Sequence, residues 1–307
     1  MSNENPFIRL PARAPDIERT PWPIISNAME TEDPRVGIVL ANFNTRCLTA
    51  QLVFSLCRVL GRSEFVEIVV VDNASTDGSP ELLEALHDAS LIHLIRNRSQ
   101  RYHGPALTQG ISWLARRQHT VAAHQRVDYV WVLDSDVIVL RRETVRDALR
   151  LFKRSGAAAV GQKTGDPTYN RLLRHNPEML HPCSLMLDPA RIWRPPIPPF
   201  IEDGAPSTAL QVAADEQGLR LVQFPFIEDG YLPHLGRGTL REVAGRNDTN
   251  NRYYEWAVDH RDYHFAGKAD GAELLAAFTE LFDAEVGDLT PDGLVAACLR
   301  PGVLVLG

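Results

Sequence analysis

The chain has 307 residues, of which 44% are hydrophobic and 23% are charged, a composition typical of a globular protein with a large buried core. Its formal net charge of -7 disfavours nucleic acid and anionic membrane surfaces as partners. The longest apolar runs have the length of strands, far short of the ~20 residues that cross a bilayer. The N-terminus carries charges and prolines where a secretion signal needs an apolar run, so a cytoplasmic protein without a transmembrane segment is predicted.

Residues 1–34 are rich in proline, which removes backbone donors and disfavours helix, so they are predicted to form an N-terminal arm. Short apolar runs then alternate with helical segments over residues 35–245. This pattern is typical of an α/β domain with a mostly parallel sheet flanked by helices. The predicted strands are VGIVLA (36–41), VEIVVV (66–71), LIHLI (91–95), YVWVL (129–133), AAAVGQ (157–162), CSLML (183–187) and LRLVQF (219–224).

Helix start signals follow several of these runs. Thr45 is a candidate N-cap for a helix that runs to residue 60, and Ser79 precedes a proline at the first helical position. Gly104 and a proline open a third helix, and Glu143 lies in the first turn of a fourth. Ser207 is a candidate cap for a helix that ends near residue 216.

Residues 246–307 are predicted to form a helical C-terminal extension. The segment GAELLAAFTELF has amphipathic spacing and an acidic face, which indicates a packing helix or a homodimer helix. Apart from the hexapeptide PFIEDG, which occurs at 199–204 and at 225–230, the chain has no repeat.

Polar clusters follow three of the predicted strands, at residues 42–44, 72–78 and 134–136. Ligands of open α/β sheets bind beyond the carboxyl ends of the strands, so these clusters mark a candidate site. Neither a GxxxxGK[ST] loop nor a GxGxxG turn follows the first strand. A nucleotide here would therefore be held by carboxylates and a metal.

The triplet Asp134-Ser135-Asp136 suits that task, because two carboxylates one residue apart can hold a divalent cation that bridges diphosphate oxygens. A solvated turn is the alternative. The apolar segments on both sides favour the metal site, since confined carboxylates need a partner.

The segments VGIVLANFN, VEIVVVDNASTDGS and YVWVLDSDVIVL resemble the successive nucleotide-binding motifs of the family 2 glycosyltransferases. The similarity covers about residues 36–240 and implies a GT-A fold that binds a nucleotide-diphosphate sugar. It implies contacts around the base and ribose, and a metal at Asp136. The residues it implicates in nucleotide binding are Asn42, Asn44, Asp72, Asn73, Asp134 and Ser135.

The segment RNRSQRYHGPALTQG departs from the family, whose members commonly have an asparagine and a glycine there, then a small residue and another asparagine. Arg98, Arg101 and His103 are candidate contacts for the diphosphate or the sugar of the donor. A solvated basic turn is the alternative for these residues.

The two copies of PFIEDG follow different strands. The resemblance implies an acidic residue near the acceptor after the sixth strand, where the first copy lies, and Asp203 is the expected general base with Glu202 as the alternative. The second copy leads into YLPHLGRGT, where a histidine of the family can complete the metal shell. His234 is therefore the candidate second metal ligand.

Together these features predict a metal-dependent hexosyltransferase that uses Mn²⁺ or Mg²⁺, a nucleotide-sugar donor that is UDP-linked, and inversion at the transferred sugar. The acceptor, a glycan, metabolite or protein, stays open. A sugar nucleotidyltransferase is one alternative, although it would have a glycine- and lysine-bearing loop where this chain has ANFNTR. A catalytically silent nucleotide-sugar binding protein of the same fold is the other.

Overall fold

The computed structural model describes residues 19–23, 34–201, 206–235 and 269–306. Seven strands form one sheet in the order β3-β2-β1-β4-β6-β5-β7. Every predicted strand is present; the bounds of β4 agree with the prediction, and the other strands differ from it by one to three residues at one or both ends, because the ends of the ladders follow pairing rather than hydrophobicity. The strands are β1 (Val36–Asn42), β2 (Glu67–Asp72), β3 (His93–Arg96), β4 (Tyr129–Leu133), β5 (Ala159–Lys163), β6 (Leu180–Leu187) and β7 (Leu221–Gln223).

The sheet is mostly parallel, as predicted. β1 pairs in parallel with β2 and β4, β2 pairs in parallel with β3, and β5 pairs in parallel with β7. β6 runs antiparallel between β4 and β5. The carboxyl ends of β1, β2 and β4 therefore meet at one edge, which the amino end of β6 also approaches.

Helices cover both faces of the sheet. α1 continues as a π-helical turn over Leu56–Gly61, so helical structure extends to the predicted end of this segment. The helices are α1 (Arg46–Ser55), α2 (Ser79–Asp88), α3 (His103–Arg117), α4 (Thr144–Ser155), α5 (Pro167–Asn170), α6 (Pro189–Ile192), α7 (Thr208–Glu216), α8 (Ala269–Val286) and α9 (Pro291–Leu299).

Thr45 is the N-cap of α1, as predicted, although its side chain makes no cap hydrogen bond. The predicted cap of α2 was wrong by one residue, since residue 78, not Ser79, is its N-cap. Asp77 takes the capping role for both helices: it accepts from the N–H of Arg46 at 2.9 Å and from the N–H of Ser79 at 3.0 Å. One carboxylate between two helix starts satisfies free N–H groups of both and complements both dipoles.

The C-terminal helices share the core of the sheet. Phe278 and Phe282 of α8 lie edge-on to Phe54 of α1, with ring centroids 5.8 Å and 5.3 Å away. Residues 269–306 of the predicted helical extension contain α8 and α9, while residues 246–268 lie outside the described residues. One apolar face of α8 packs within the chain. A homodimer through these helices and the boundaries at residues 35 and 245 stay predictions. Among the described residues, no helix is both long enough and apolar enough to span a membrane.

Part of the N-terminal arm packs against the body of the protein. Within residues 19–23, Trp22 is buried, and the carbonyl of Thr20 accepts from Trp193 Nε1 at 3.1 Å. The Arg19 guanidinium lies 5.5 Å from the centre of the Trp193 ring. Trp193 is thus a core residue that anchors the arm.

Asp215 of α7 fixes the loop before β6. Its carboxylate accepts from the backbone N–H groups of Arg174 at 2.6 Å, His175 at 3.0 Å and Asn176 at 2.7 Å. Burial alone would raise the pKa of the Asp215 carboxyl, but these N–H donors outweigh burial and hold the pKa below its ordinary value. The ionised carboxylate is therefore the form that the fold stabilises.

We expect Asp215→Asn to lower the free energy of unfolding by about 2 kcal/mol at pH 7, because charge-assisted hydrogen bonds are lost. A depressed pKa contributes stability above the unfolded pKa of about 3.9, and this contribution disappears as the pH falls through the folded value. Urea unfolding at several pH values should show the difference between variant and wild type closing below about pH 4. Glu216→Gln, which removes one negative charge from an exposed position of the same helix, should leave the free energy of unfolding nearly unchanged. If wild type and Asp215→Asn differed in free energy of unfolding by the same amount at all pH values, this would contradict the role of Asp215.

Candidate active site

Asn42 and Asp72 end β1 and β2 side by side, in register with each other. Asn42 Nδ2 donates to Asp72 Oδ1 at 2.8 Å, and Asn42 Oδ1 accepts from the hydroxyls of Thr45 and Thr49 at 2.9 Å and 2.7 Å. Asn42 is fully buried, so its amide lies beneath the surface of the site and orients the Asp72 carboxylate. Its predicted contact with a nucleotide stays a prediction.

Ser75, which the sequence reasoning missed, joins the loops that follow β1 and β2. Its hydroxyl oxygen accepts from Asn42 Nδ2 at 2.9 Å and from the N–H of Asn44 at 3.0 Å. Asn44 has a positive φ of 53°, and its side-chain oxygen accepts from the N–H of Thr76 at 2.8 Å. The two loops are thus cross-linked around Asp72, whose second oxygen accepts from the Ser75 N–H at 3.3 Å.

Asn73 holds the loop between β3 and α3. Its Nδ2 donates to the carbonyl of Tyr102 at 2.9 Å, and its Oδ1 accepts from Asn97 Nδ2 at 2.8 Å and from the N–H of Arg101 at 3.4 Å. Of the predicted donor contacts, Arg98 and Arg101 are exposed on this loop. The asparagine therefore sets the position of the atypical segment that the sequence singled out.

His103, the third predicted donor contact, begins α3 and reaches the second part of the site. Its Nε2 lies 3.4 Å from Asp134 Oδ1, beyond the end of β4. Ser135, between the two aspartates, is buried, and its Oγ lies 3.2 Å from Thr45 Oγ1. Ser135 thus contacts Thr45, whose hydroxyl also donates to Asn42 beneath the surface of the site.

Asp134, Asp136 and His234 form a group whose ligand atoms all lie within 4.8 Å of one another. His234 Nε2 is 3.1 Å from Asp136 Oδ1 and 3.8 Å from Asp134 Oδ2. The sequence pattern predicted that Asp136 and His234 would meet, and the structure brings them together with Asp134.

The second PFIEDG segment explains how His234 arrives there. Residues 225–230 make a tight turn, after which residues 231–235 run antiparallel to residues 136–140. The N–H of Leu140 donates to the carbonyl of Tyr231 at 2.9 Å, and the N–H of Leu235 donates to the carbonyl of Asp136 at 2.8 Å. Val137 and His234 are bridge partners in this pairing. The backbone, rather than the side chains, fixes the distance between His234 and Asp136.

The electrostatics of the group favour a bound cation. Burial, with help from the Asp136 charge, raises the pKa of Asp134, although His103 and His234 act in the opposite direction. Burial would lower the pKa of His234, but Asp136 and Asp134 outweigh it and raise the pKa to about 9. A protonated imidazole thus offsets one of the two carboxylate charges, and a divalent cation would offset both as the proton leaves.

One oxygen of the group has no hydrogen bond. Asp134 Oδ1 is shielded from solvent and accepts none from the part of the chain that the structure describes. Carboxylate and imidazole are suitable ligands for Mn²⁺, and oxygen ligands alone are the preference of Mg²⁺. The donor set and the unsatisfied oxygen together fit a divalent metal.

His181 of β6 lies beside the group, with its ring centre 5.5 Å from that of His234. Burial, and secondarily the charge of His234, lower the pKa of His181 to about 3. Its Nδ1 accepts from the N–H of Cys183 at 3.0 Å. The imidazole is therefore neutral, with its proton on Nε2.

Asp203 and Glu202, the predicted general base and its alternative, lie outside the described residues. The segments on either side of them are well anchored: the N–H of Ile201 donates to the carbonyl of Pro206 at 3.2 Å, and the Thr108 hydroxyl of α3 donates to the carbonyl of Phe200 at 2.9 Å. The described residues on either side of the two acids are therefore anchored, and Phe200 contacts the N-terminal half of α3.

The model of the glycosyl transferase family 2 matches residues 37–206, more than half of the chain. No curated protein matches it.

Several solved structures are similar. Residues 1–349 of TarS from S. aureus are 16% identical, with a TM-score of 0.48, and the match covers 81% of this chain and 72% of that one. The mannosyltransferase PcManGT from Pyrobaculum calidifontis, solved with GDP-Man and Mn²⁺, is 17% identical, with a TM-score of 0.48 and coverage of 92% and 89%. Glucosyl-3-phosphoglycerate synthase from Mycobacterium tuberculosis, solved with Mn²⁺, UDP and glucosyl-3-phosphoglycerate, is 16% identical, with a TM-score of 0.42 and coverage of 67% and 77%.

Proposed function

Because the chain belongs to the glycosyl transferase family 2, we propose that it transfers a hexosyl group from a UDP-sugar to an acceptor hydroxyl, with a divalent cation and with inversion. The seven-stranded sheet flanked by helices is the GT-A type fold that the resemblance implies. The observation that carries the proposal is the group of Asp134, Asp136 and His234 at the edge of this sheet.

Asp136 and His234 would hold the cation, with Asp134 beside them. A divalent cation at this place supplies Lewis-acid stabilisation of the diphosphate that leaves. We propose Mn²⁺ ahead of Mg²⁺, because an imidazole among oxygen ligands suits Mn²⁺ better. His103 would contact the same diphosphate; its Nε2 lies 3.4 Å from Asp134 Oδ1 at the start of α3, which supports this role.

Asp72 would recognise the base. Its carboxylate is fixed by Asn42 and Ser75, yet each carboxylate oxygen can accept a second hydrogen bond. Uracil offers an N–H donor at its pairing edge, whereas cytosine offers an acceptor in the same position. A carboxylate therefore favours UDP over CDP.

Asp203 would act as general base, with Glu202 as the alternative. The base removes the proton of the acceptor hydroxyl while its oxygen bonds to the anomeric carbon, and the bond to the diphosphate breaks on the opposite face. This single displacement gives inversion. NMR of the product should show an anomeric configuration opposite to that of the donor; retention would refute this part of the proposal.

A thermal-shift screen of nucleoside diphosphates and nucleotide sugars tests the function directly. With Mn²⁺ present, UDP at a hundred times its Kd should add about 2.7 kcal/mol to the free energy of unfolding, a shift of about 5 °C. Without the metal the shift should be small. Stabilisation by GDP but not by UDP would show that the donor is GDP-linked and not UDP-linked. Release of pyrophosphate from a nucleoside triphosphate would indicate a nucleotidyltransferase instead.

Gly104 provides a test of the loop that carries the predicted base. A Cβ at this position would lie 1.9 Å from the carbonyl oxygen of Ile201, a backbone atom next to that loop. We expect Gly104→Ala to displace the loop, lower the free energy of unfolding by about 1–3 kcal/mol and reduce kcat.

Gly110→Ala is the matched control, since it lies on the same helix and its Cβ would meet a side-chain methyl of Val39 at 2.5 Å. Both variants should have a lower free energy of unfolding, measured with urea. Only Gly104→Ala should also lose far more kcat than the population of unfolded protein accounts for. Equal losses of kcat would show that the contact with Ile201 has no part in positioning the loop.

A further inference from the structure

Tyr102 has a backbone conformation that L-residues rarely adopt. Its φ is 62° and its ψ is 174°, a region that belongs almost entirely to glycine. Such a conformation costs on the order of 1–3 kcal/mol and persists where surrounding contacts impose it. A tyrosine at this position therefore reduces the stability of the fold relative to glycine.

The contacts that impose this conformation come from the candidate site. The carbonyl of Tyr102 accepts from Asn73 Nδ2 at 2.9 Å, directly after β2. Asn97 and Gln109 exchange two amide hydrogen bonds, of 2.9 Å and 3.0 Å, which join the loop to α3. The next residue, His103, lies 3.4 Å from Asp134. Tyr102 is thus fixed between the end of β2 and the metal group.

Tyr102 is exposed in spite of this fixed backbone. The residue is 41% exposed, and it is the one aromatic among the large hydrophobic residues that are exposed in the described parts of the chain. Packing in the core does not explain a tyrosine at this position, because the residue is exposed. The strain and the exposure together indicate a role in binding.

We propose that the ring of Tyr102 is a stacking surface for the base of the nucleotide, and that it contributes to donor affinity in this chain. This inference rests on the proposed function. The residue lies on the β2 side of the edge, with Asp72, and a flat aromatic ring recognises the face of a base while a carboxylate recognises its pairing edge. Stacking of this kind tolerates different bases, so Tyr102 supplies affinity and Asp72 supplies selectivity.

Titration calorimetry of the full chain with UDP and with inorganic pyrophosphate, both with Mn²⁺, tests the proposal. We expect Tyr102→Gly to weaken UDP binding about tenfold, because aromatic–base stacking is lost, and to leave pyrophosphate binding unchanged. The melting temperature of the metal-free variant should not fall, since glycine relieves the strain at this position.

Two further variants separate the ring from the backbone. Tyr102→Phe should bind UDP as the wild type does, whereas Tyr102→Leu, which keeps the strained Cβ but has no flat face, should show the same loss as Tyr102→Gly. Wild-type affinity for UDP in Tyr102→Gly or Tyr102→Leu would overturn the stacking role. A lower melting temperature with equal losses for UDP and pyrophosphate would also overturn it, by making Tyr102 a structural residue.

The proposed function and this inference fail in different ways. A wild-type chain that binds pyrophosphate with Mn²⁺ but not UDP refutes both the donor and the stacking role. A wild-type chain that binds UDP tightly, together with variants that bind it equally well, refutes the stacking role alone.

Discussion

Replacement of Asp136 by alanine is expected to abolish nucleotide binding that depends on Mn²⁺, with at least a hundredfold loss of affinity for UDP. The carboxylate is buried, 3.1 Å from His234, and it is held in place by the backbone pairing of residues 136–140 with residues 231–235. No neighbouring side chain can take over a ligand position that this pairing fixes. Titration calorimetry with UDP, with and without Mn²⁺, measures the effect.

The structure suggests two comparisons for this variant. Asp88→Ala removes an exposed carboxylate at the end of α2 and should leave binding unchanged. His234→Ala should weaken the Mn²⁺-dependent binding as well, because the imidazole belongs to the same group. Tight, Mn²⁺-dependent binding of UDP to Asp136→Ala would remove Asp136 from the metal site and refute the assignment of the group.

Replacement of Asp203 by asparagine is expected to lower kcat by about 10²- to 10⁴-fold while leaving UDP binding intact. A general base acts on the acceptor, not on the donor, so its loss affects the chemical step and not the nucleotide complex. Asp203 itself lies outside the described residues, but Ile201 and Pro206 on either side are hydrogen-bonded to each other, and the carbonyl of Ile201 lies against Gly104 of α3. Initial rates of sugar transfer and a UDP titration of the same preparation give both quantities.

Glu202→Gln is the matched variant for this prediction, because it removes a neighbouring carboxylate from the same loop. Its kcat should stay within a few-fold of the wild type if Asp203 is the base. A severe loss in Glu202→Gln with near wild-type transfer in Asp203→Asn would exchange the two roles, and full activity in both would place the base elsewhere.

Much of the fold could be predicted from the sequence, because the strands are continuous apolar runs that are buried on both faces of a parallel sheet. The proximity of Asp136 and His234 was also expected, because the resemblance to the family implies that both are ligands of one metal. The prediction of the α2 cap was wrong because Asp77 lies between two helix starts that only the tertiary structure brings together.

Other parts of the site could not be found in this way. The roles of Asn42 and Ser75 as supports of Asp72 depend on hydrogen bonds between two loops that are 30 or more residues apart in the chain. The conformation of Tyr102 leaves no signal in the sequence, because tyrosine gives no indication of a positive φ. A departure from a family pattern marked the segment, but only the backbone geometry indicated which residue in it carries the strain.

The pairing of Val137 with His234 determines when the group of Asp134, Asp136 and His234 can assemble during synthesis of the chain. A nascent chain that has left the ribosome only as far as β7 contains both aspartates of the metal group but lacks the histidine. The nearly one hundred intervening residues, which include the three strands β5, β6 and β7, must be synthesised before the histidine can dock. The proposed metal-dependent ligand binding would therefore arise late in synthesis, once the long-range contacts of the sheet are in place.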